Sequence, residues 1–495
     1  EKEIFRYTFM DFIHVFRKRL SLTTIFLSVL LITSIRIFFD FWLLEYPIEL
    51  DLFGHYARFY LENVFYFMIV FFVVIFFLSK LTRQNFVDVA NFGIRIFPIA
   101  IIPPIIDHVF FGRVLGYSYA TTENFWYNFL TISWIKGDAS IGISLEITIT
   151  ALLIAAYVWH RSKSIPRTIA AAVLLIGLLV IISTPELCFA DRADYVYSQF
   201  LPSYYYIPSL IMVSLLMLHY NKEMLKAILL NLRLERALFF VLFVFLGAIA
   251  ASRLDIPIHW YETCFAATSI FFVWQFSVVI NDIYDKDIDA ISNKGRPLPK
   301  GVLLMHEYRL VAIVFSAYAM AFSAIVNGWV FLLCVTGLLV SIFYSVPPIR
   351  LRKNLLGNAL IGVALIISFV TGLMVDGNLL VLLSQKNVLF AVALGIVASM
   401  VTLTKDLKDS EGDSKHHIKN IITIYGTKKG KNIISIIVFV VLTIPPLLFR
   451  EFILVPISIL FGLAAALIYY KKESEKVVYA IATLVMIIDF QLYYF

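Results

Sequence analysis

Asn281-Asp282-Ile283-Tyr284-Asp285-Lys286-Asp287-Ile288-Asp289 closes an apolar run over residues 260–280, and Lys405-Asp406-Leu407-Lys408-Asp409-Ser410-Glu411-Gly412-Asp413 closes another over 387–404. Both contain D-x-x-D-x-x-x-D. On a helix, positions i, i+3 and i+7 fall within about 60° of one another. Asp282, Asp285 and Asp289 therefore share one face, and so do Asp406, Asp409 and Asp413, whereas Asp287 points about 140° away. Six carboxylates on two facing helix ends repel one another unless cations lie between them. An oxygen-only donor set of this density suits a hard cation such as Mg²⁺. An anionic phosphate that shares the metal is the natural third party.

The runs that carry these motifs set the fold class. Hydrophobic residues make up 61% of the 495 residues and charged residues 15%, with a mean hydropathy of +0.87. So apolar a chain excludes a soluble globular protein. The apolar runs are continuous and about 20 residues long, which is the period of membrane helices and not of a transmembrane β-barrel. The expectation is an all-α polytopic membrane protein. Cys188, Cys264 and Cys334 have no metal or redox spacing and read as packing residues. There is no P-loop for nucleotide hydrolysis. The net charge of +7 is modest, and no nucleic-acid partner is expected. No cleavable signal pattern is visible, and the charged stretch 1–19 reads as an interfacial helix.

Apolar runs lie near 22–40, 62–79, 90–111, 141–159, 167–185 and 204–219, then near 237–252, 260–280, 305–326, 328–346, 355–375, 387–404, 431–449, 452–470 and 476–494. That is about 15 spans. Residues 221–236, with Lys222, Lys226, Arg233 and Arg236, separate the two series and read as a basic cytoplasmic linker. Residues 1–220 form a six-span module without a legible chemistry motif, and 237–495 form a nine-span domain. With Arg17, Lys18 and Arg19 in the cytoplasm, every basic loop falls on that side, including Lys80/Arg83, Arg161/Lys163/Arg167 and Arg350/Arg352/Lys353. Both acid motifs then face the cytoplasm with the N-terminus, and the C-terminus lies opposite. Arg36, Arg95, Asp107, His108 and Glu146, within or near the first six spans, read as paired bridges or boundary residues, as does Asp489 in the last span. His416 and His417 read as solvated loop histidines. Asp285-Lys286-Asp287-Ile288-Asp289 imitates the start of a calcium loop, but Ala290 stands at the glycine and Arg296 at the terminal acid.

Three stretches together resemble a known family. Asn281-Asp282-x-x-Asp285-x-x-x-Asp289 with Asn293-Lys294-Gly295-Arg296-Pro297-Leu298-Pro299 is similar to the first signature of the UbiA superfamily of intramembrane prenyltransferases. Tyr344 to Lys353 followed by Gly357-Asn358 looks like its central motif, and Lys405 to Asp413 followed by Tyr425-Gly426 like its second signature. The resemblance covers about residues 237–495 and says nothing of the first six spans. It implies a nine-helix UbiA-type bundle. It implies an enzyme that ionises a prenyl diphosphate with Mg²⁺ and transfers the chain to a hydrophobic or amphipathic acceptor in the bilayer.

Mapped onto these motifs, Asp282, Asp285, Asp409 and Asp413 are the first choice for Mg²⁺ ligands, with Asp289 and Asp406 completing the two faces. Asn281, Arg296, Arg350, Lys353 and Lys405 are the expected diphosphate partners. The acceptor stays open between a polar lipid precursor and an aromatic or quinone precursor. The first six spans stay open between acceptor binding, a protein partner and a second reaction. A cation-coupled transporter using the acid motifs as an ion site is the alternative, although a transporter prefers charges near the midplane.

Overall fold

A backbone in lipid must satisfy its N–H and C=O groups internally, and helices do so within one segment. The computed structural model describes residues 19–43, 53–111, 120–187, 194–254, 256–415 and 418–495, and among these no strand occurs. Fourteen helices among the described residues are long and apolar enough to cross a membrane, and Tyr204–His219 is a shorter apolar helix at the sixth expected run. The all-α polytopic fold class stands. The expected interfacial helix over 1–19 lies outside the described residues except for Arg19, and so do His416 and His417.

The chain divides into two compact units, Glu1–Leu216 and Met217–Phe495. The first unit contains α1 (Leu22–Leu43), α2 (Phe53–Thr82), α3 (Phe86–Ile96), α4 (Ile102–Phe111), α5 (Ile141–Ser162) and α6 (Ile165–Ser183), and α7 (Asp194–Tyr220) begins in it. A 3₁₀ turn, Phe97–Ile101, with Pro98 near its start, joins α3 to α4, because proline supplies no N–H to continue an α-helix. Ser140 caps α5: its Oγ accepts from Ile143 N at 3.2 Å and donates to Asp107 at 2.5 Å. Asp107 also takes Gly142 N at 2.8 Å. The buried Asp107 thus ties α4 to the start of α5, in keeping with its reading as a bridge.

The second unit begins with a short helix in the basic stretch 221–236. Asn221 caps α8 (Lys222–Leu230), accepting from Met224 N at 3.1 Å, and Met224 and Ile228 are buried. These apolar residues recur at i and i+4, a helical period that the surrounding charges obscure. The helices of seven or more residues that follow are α9 (Leu234–Ser252), α10 (Trp260–Tyr284), α11 (Lys286–Ser292), α12 (Met305–Val326), α13 (Gly328–Ser345), α14 (Leu356–Leu373), α15 (Gln385–Val401), α16 (Asp406–Lys415), α17 (Thr427–Thr443), α18 (Val455–Lys472) and α19 (Glu475–Tyr494). α14 packs by backbone. A Cβ at Gly372 would collide with Val244 O of α9, and one at Gly362 with Gly395 O and Ser399 of α15. Lipid tails give no hydrophobic drive between helices, so small residues that allow close approach set these contacts. Phe243, Leu373 and Phe390 fill the core beside them.

Candidate active site

The first acid motif straddles a helix junction. Asn281 and Asp282 lie in the last turn of α10, Asp285 is the residue between α10 and α11, and Asp289 lies in α11. Asp282, Asp285 and Asp289 are each 1% exposed, whereas Asp287 is exposed. The shared face expected from a continuous helix therefore survives a break at Asp285.

Each carboxylate is gripped by named donors. Asp282 Oδ1 accepts from Arg233 Nη2 and Arg296 Nη1, both at 2.8 Å. Its Oδ2 accepts from Asn231 Nδ2 at 2.8 Å and Tyr308 Oη at 3.0 Å. Asp289 pairs with Arg296 and takes Asn293 Nδ2 at 3.2 Å. Asp285 accepts from Arg350 Nη2 at 2.9 Å and Asn281 Nδ2 at 2.5 Å, and it pairs with Arg352. Arg352 Nη2 lies 3.9 Å from Asp413 Oδ1, so one guanidinium spans both acid motifs. Asn420 Nδ2 donates to Asp413 Oδ2 at 2.9 Å. α16 carries Asp406 and Asp413 on one helix. Asp409 lies on the same helix, and its side chain lies outside the described residues.

Two of these arginines sit in left-handed backbone, Arg233 at φ 48° and Arg350 at φ 33°. A non-glycine residue there costs about 1–3 kcal/mol and is held by its surroundings. Burial holds both guanidinium pKa values below their ordinary value, in spite of the neighbouring Asp282 at Arg233. Burial pushes Asp289 up to about 6, with Arg296 acting in the opposite direction.

Guanidinium groups thus lie against the carboxylates of the first motif. Among the described residues, no three His, Cys, Asp or Glu side chains gather closely enough to hold a metal together.

An apolar cavity of about 410 Å³ opens beside the motif, lined by Phe240, Val273, Trp274 and Met486 and ending at Asn281, Arg233, Arg236 and Lys405. A second cavity of about 590 Å³ shares Arg233, Arg236, Lys405, Glu475 and Lys476 with it and adds Arg296 and Lys408. Arg236 donates to Glu475 at 3.2 Å.

Of the expected diphosphate partners, Asn281, Arg296 and Arg350 contact the first motif, and Lys405 lines both cavities. Lys353 is exposed, and its backbone carbonyl accepts from Lys419 N at 3.0 Å. Sequence reasoning missed Asn231, Arg233, Arg236, Tyr308, Arg352, Asn420 and Lys476. Arg233 and Arg236 were visible as charge but were assigned to a linker. Arg352 stands inside the central motif, between the two residues chosen from it. Tyr308 opens an apolar run and carries no signal.

Residues 240–480 match the model described as the UbiA prenyltransferase family. The matched stretch makes up most of the second unit, which is thus similar to that family. A digeranylgeranylglyceryl phosphate synthase from Methanosphaera stadtmanae is 28% identical over 38% of this chain and 67% of its own length. One from Korarchaeum cryptofilum is 30% identical over 34% and 59%. The chloroplastic chlorophyll synthase of Arabidopsis thaliana is 28% identical over 35% and 52%. The chain thus spans between about half and two thirds of these relatives. A solved UbiA homolog from Archaeoglobus fulgidus, bound to DMAPP and Mg²⁺, aligns with 54% of this chain and 98% of its own at 20% identity, with a TM-score of 0.41.

Proposed function

We propose that the second unit transfers a prenyl chain from its diphosphate to an amphipathic acceptor within the membrane. The observation that carries this reading is the junction of an apolar cavity with a strongly cationic one at the first acid motif. The isoprenoid tail matches the former and the diphosphate the latter. Arg233, Arg236, Arg296, Lys405 and Lys476 would neutralise the diphosphate, and Asn281 would orient it.

The allylic C–O bond breaks with its electron pair leaving on the diphosphate oxygen. The carbocation stays in the tail cavity, where Trp274 stacks on Phe240 at 4.6 Å. Aromatic faces attract a cation, and the apolar walls exclude water that would quench it. The acceptor's nucleophile then bonds to the cation and gives up its proton to the released diphosphate or to water.

The donor chemistry fits Mg²⁺, which needs only one or two carboxylates when water and phosphate complete its shell. Asp282, Asp285 and Asp289 on one side, and Asp406, Asp409 and Asp413 on the other, are the residues to hold it. When bound, it supplies Lewis-acid stabilisation of the leaving diphosphate. Relatives named as digeranylgeranylglyceryl phosphate synthases favour a polar lipid precursor as acceptor, and the excess of cations around the cavities favours an anionic head.

The test is diphosphate release by the purified full chain from prenyl diphosphates, with and without Mg²⁺, followed by product profiling over a panel of acceptors. Release with Mg²⁺ is expected. A folded protein that releases none from any prenyl diphosphate sinks the reading. The sidedness proposed for this site, cytoplasmic with both motifs together, predicts that a cysteine at Ser414 reacts with an impermeant thiol reagent only from the cytoplasmic side.

A further inference from the structure

The two cavities of the second unit overlap at six side chains: Arg233, Glu235, Arg236, Lys405, Glu475 and Lys476. In a prenyl transfer, the diphosphate lies on the cationic side of this junction and the tail on the apolar side, so the allylic carbon lies between them. Four of the six side chains are cations, and the two anions are Glu235 and Glu475. Glu235 belongs to the surface: its side chain is 78% exposed and lies 3.2 Å from Lys476 Nζ. Glu475 is 13% exposed. It stands in the first turn of α19, and Ala482 and Met486 of the same helix line the apolar cavity. Positions i, i+7 and i+11 share a helix face, so α19 sets Glu475 at the head of one apolar wall.

The two oxygens of Glu475 differ. Oε1 accepts from Arg236 Nη2 at 3.2 Å. Oε2 is buried and accepts no hydrogen bond from the described residues. An acid in the first turn suits the helix dipole, and that accounts for the charge of Glu475 and for its pairing with Arg236. It does not account for a buried oxygen without a donor, which is costly unless a ligand supplies one. The carboxylates of the first acid motif, by contrast, are each held by guanidinium groups. The proton that ends on the released diphosphate or on water must first leave the acceptor, and the diphosphate is neutralised by the cations around it. We infer that Glu475 is the base of the transfer step and that the acceptor meets its Oε2 with a hydroxyl. This inference rests on the prenyl-transfer reading. A lone pair of the hydroxyl oxygen forms the bond to the allylic carbon. The O–H bond breaks with its electrons staying on that oxygen, and the proton moves to Oε2. Such an adduct is a strong acid, so a carboxylate suffices as its base. Passing the proton on to diphosphate or water restores the charged Glu475.

The test uses the purified full chain with Mg²⁺, geranylgeranyl diphosphate and 1-O-hexadecylglycerol 3-phosphate, a probe that joins an anionic head to one free hydroxyl. Ether product and diphosphate are measured in the same reaction. Glu475→Gln keeps the size of the side chain and an acceptor for Arg236. It should lower ether formation by about 100-fold, the low end for loss of a general base, and diphosphate release by far less. Water then captures the cation, and the prenyl alcohol should appear in place of the ether. Glu475→Asp keeps the carboxylate, and its ratio of ether to diphosphate should lie between those of the Gln variant and the unaltered protein. A merely structural Glu475 would lower ether and diphosphate together, so an unchanged ratio in a monodisperse Gln variant overturns the inference. A lower ratio in Glu475→Asp than in Glu475→Gln overturns it as well. So does an unaltered protein that releases diphosphate and forms no ether, since no hydroxyl then meets Glu475. An unaltered protein that releases no diphosphate overturns the proposed function itself, which keeps the two failures apart.

Discussion

The two units each hold an apolar cavity with a charged end, and the ends have opposite sign. In the second unit, Arg233, Arg236, Arg296, Lys405, Lys408 and Lys476 outnumber Glu235 and Glu475. In the first, Asp40, Glu62, Asp138 and Glu146 outnumber Arg36 among the described residues of the lining. A helical scaffold supplies an apolar cavity in both cases, with aromatic side chains in its lining, and what differs is a handful of charged side chains around it. Fold alone therefore says little about which ligand either unit takes.

The contrast breaks most visibly on metal removal. Carboxylates and diphosphate repel one another, so EDTA should abolish diphosphate release and Mg²⁺ should restore it. Full turnover in metal-free protein would show that arginines alone do the work. Next in size, Asp282→Asn and Asp413→Asn should each lower turnover by roughly 100-fold or more, the scale for removing one electrostatic stabiliser. Asp282 should be the more damaging, since Arg233, Arg296, Asn231 and Tyr308 all converge on it. A loss below about threefold in both variants, against that scale, would mean the site lies elsewhere. Smaller again, Arg236→Gln should raise KM for the prenyl diphosphate about tenfold with kcat little changed, because a charge on the cavity wall binds ground and transition states alike. A pure kcat loss would instead move Arg236 into the chemical step.

Much of this was legible in the sequence, for reasons that can be named. Asp282, Asp285 and Asp289 announced themselves by spacing, because helical geometry turns i, i+3 and i+7 into one face, and the kink at Asp285 barely disturbs it. The apolar runs fixed the helices because lipid allows little else. Asn231 and Arg233 were hidden, since their contact with Asp282 closes a turn between α8 and α9 that charge patterning reads as a gap. Tyr308 reaches Asp282 from another helix, and no local pattern encodes a partner 26 residues away. Arg36 and Glu146 read as separate residues in the sequence, and only packing brings them together beside one cavity.

The smallest expected effect concerns the loop that carries Asp138 in the first unit. Burial pushes the Asp138 carboxyl up, but the hydrogen bonds from Thr121, Asn124 and Asn128 outweigh it and hold it below the ordinary value of 3.8. A carboxylate with a lowered pKa in the folded state stabilises the fold above its unfolded value. That contribution is present above about pH 4 and is lost as pH falls through the lowered folded value. Asp138→Asn replaces one acceptor by an NH₂ facing donors. It should cost about 1 kcal/mol at neutral pH, at the low end for a hydrogen-bonded charge because the loop is partly solvated. The thermal midpoint should drop by a few degrees at pH 7, roughly 2–4 °C for that cost in a large domain. The gap to the unaltered protein should close as pH falls below about 4. A gap that stays constant from pH 7 to pH 3 would mean that the charge of Asp138 contributes nothing and that only the shape of its hydrogen-bonded loop matters.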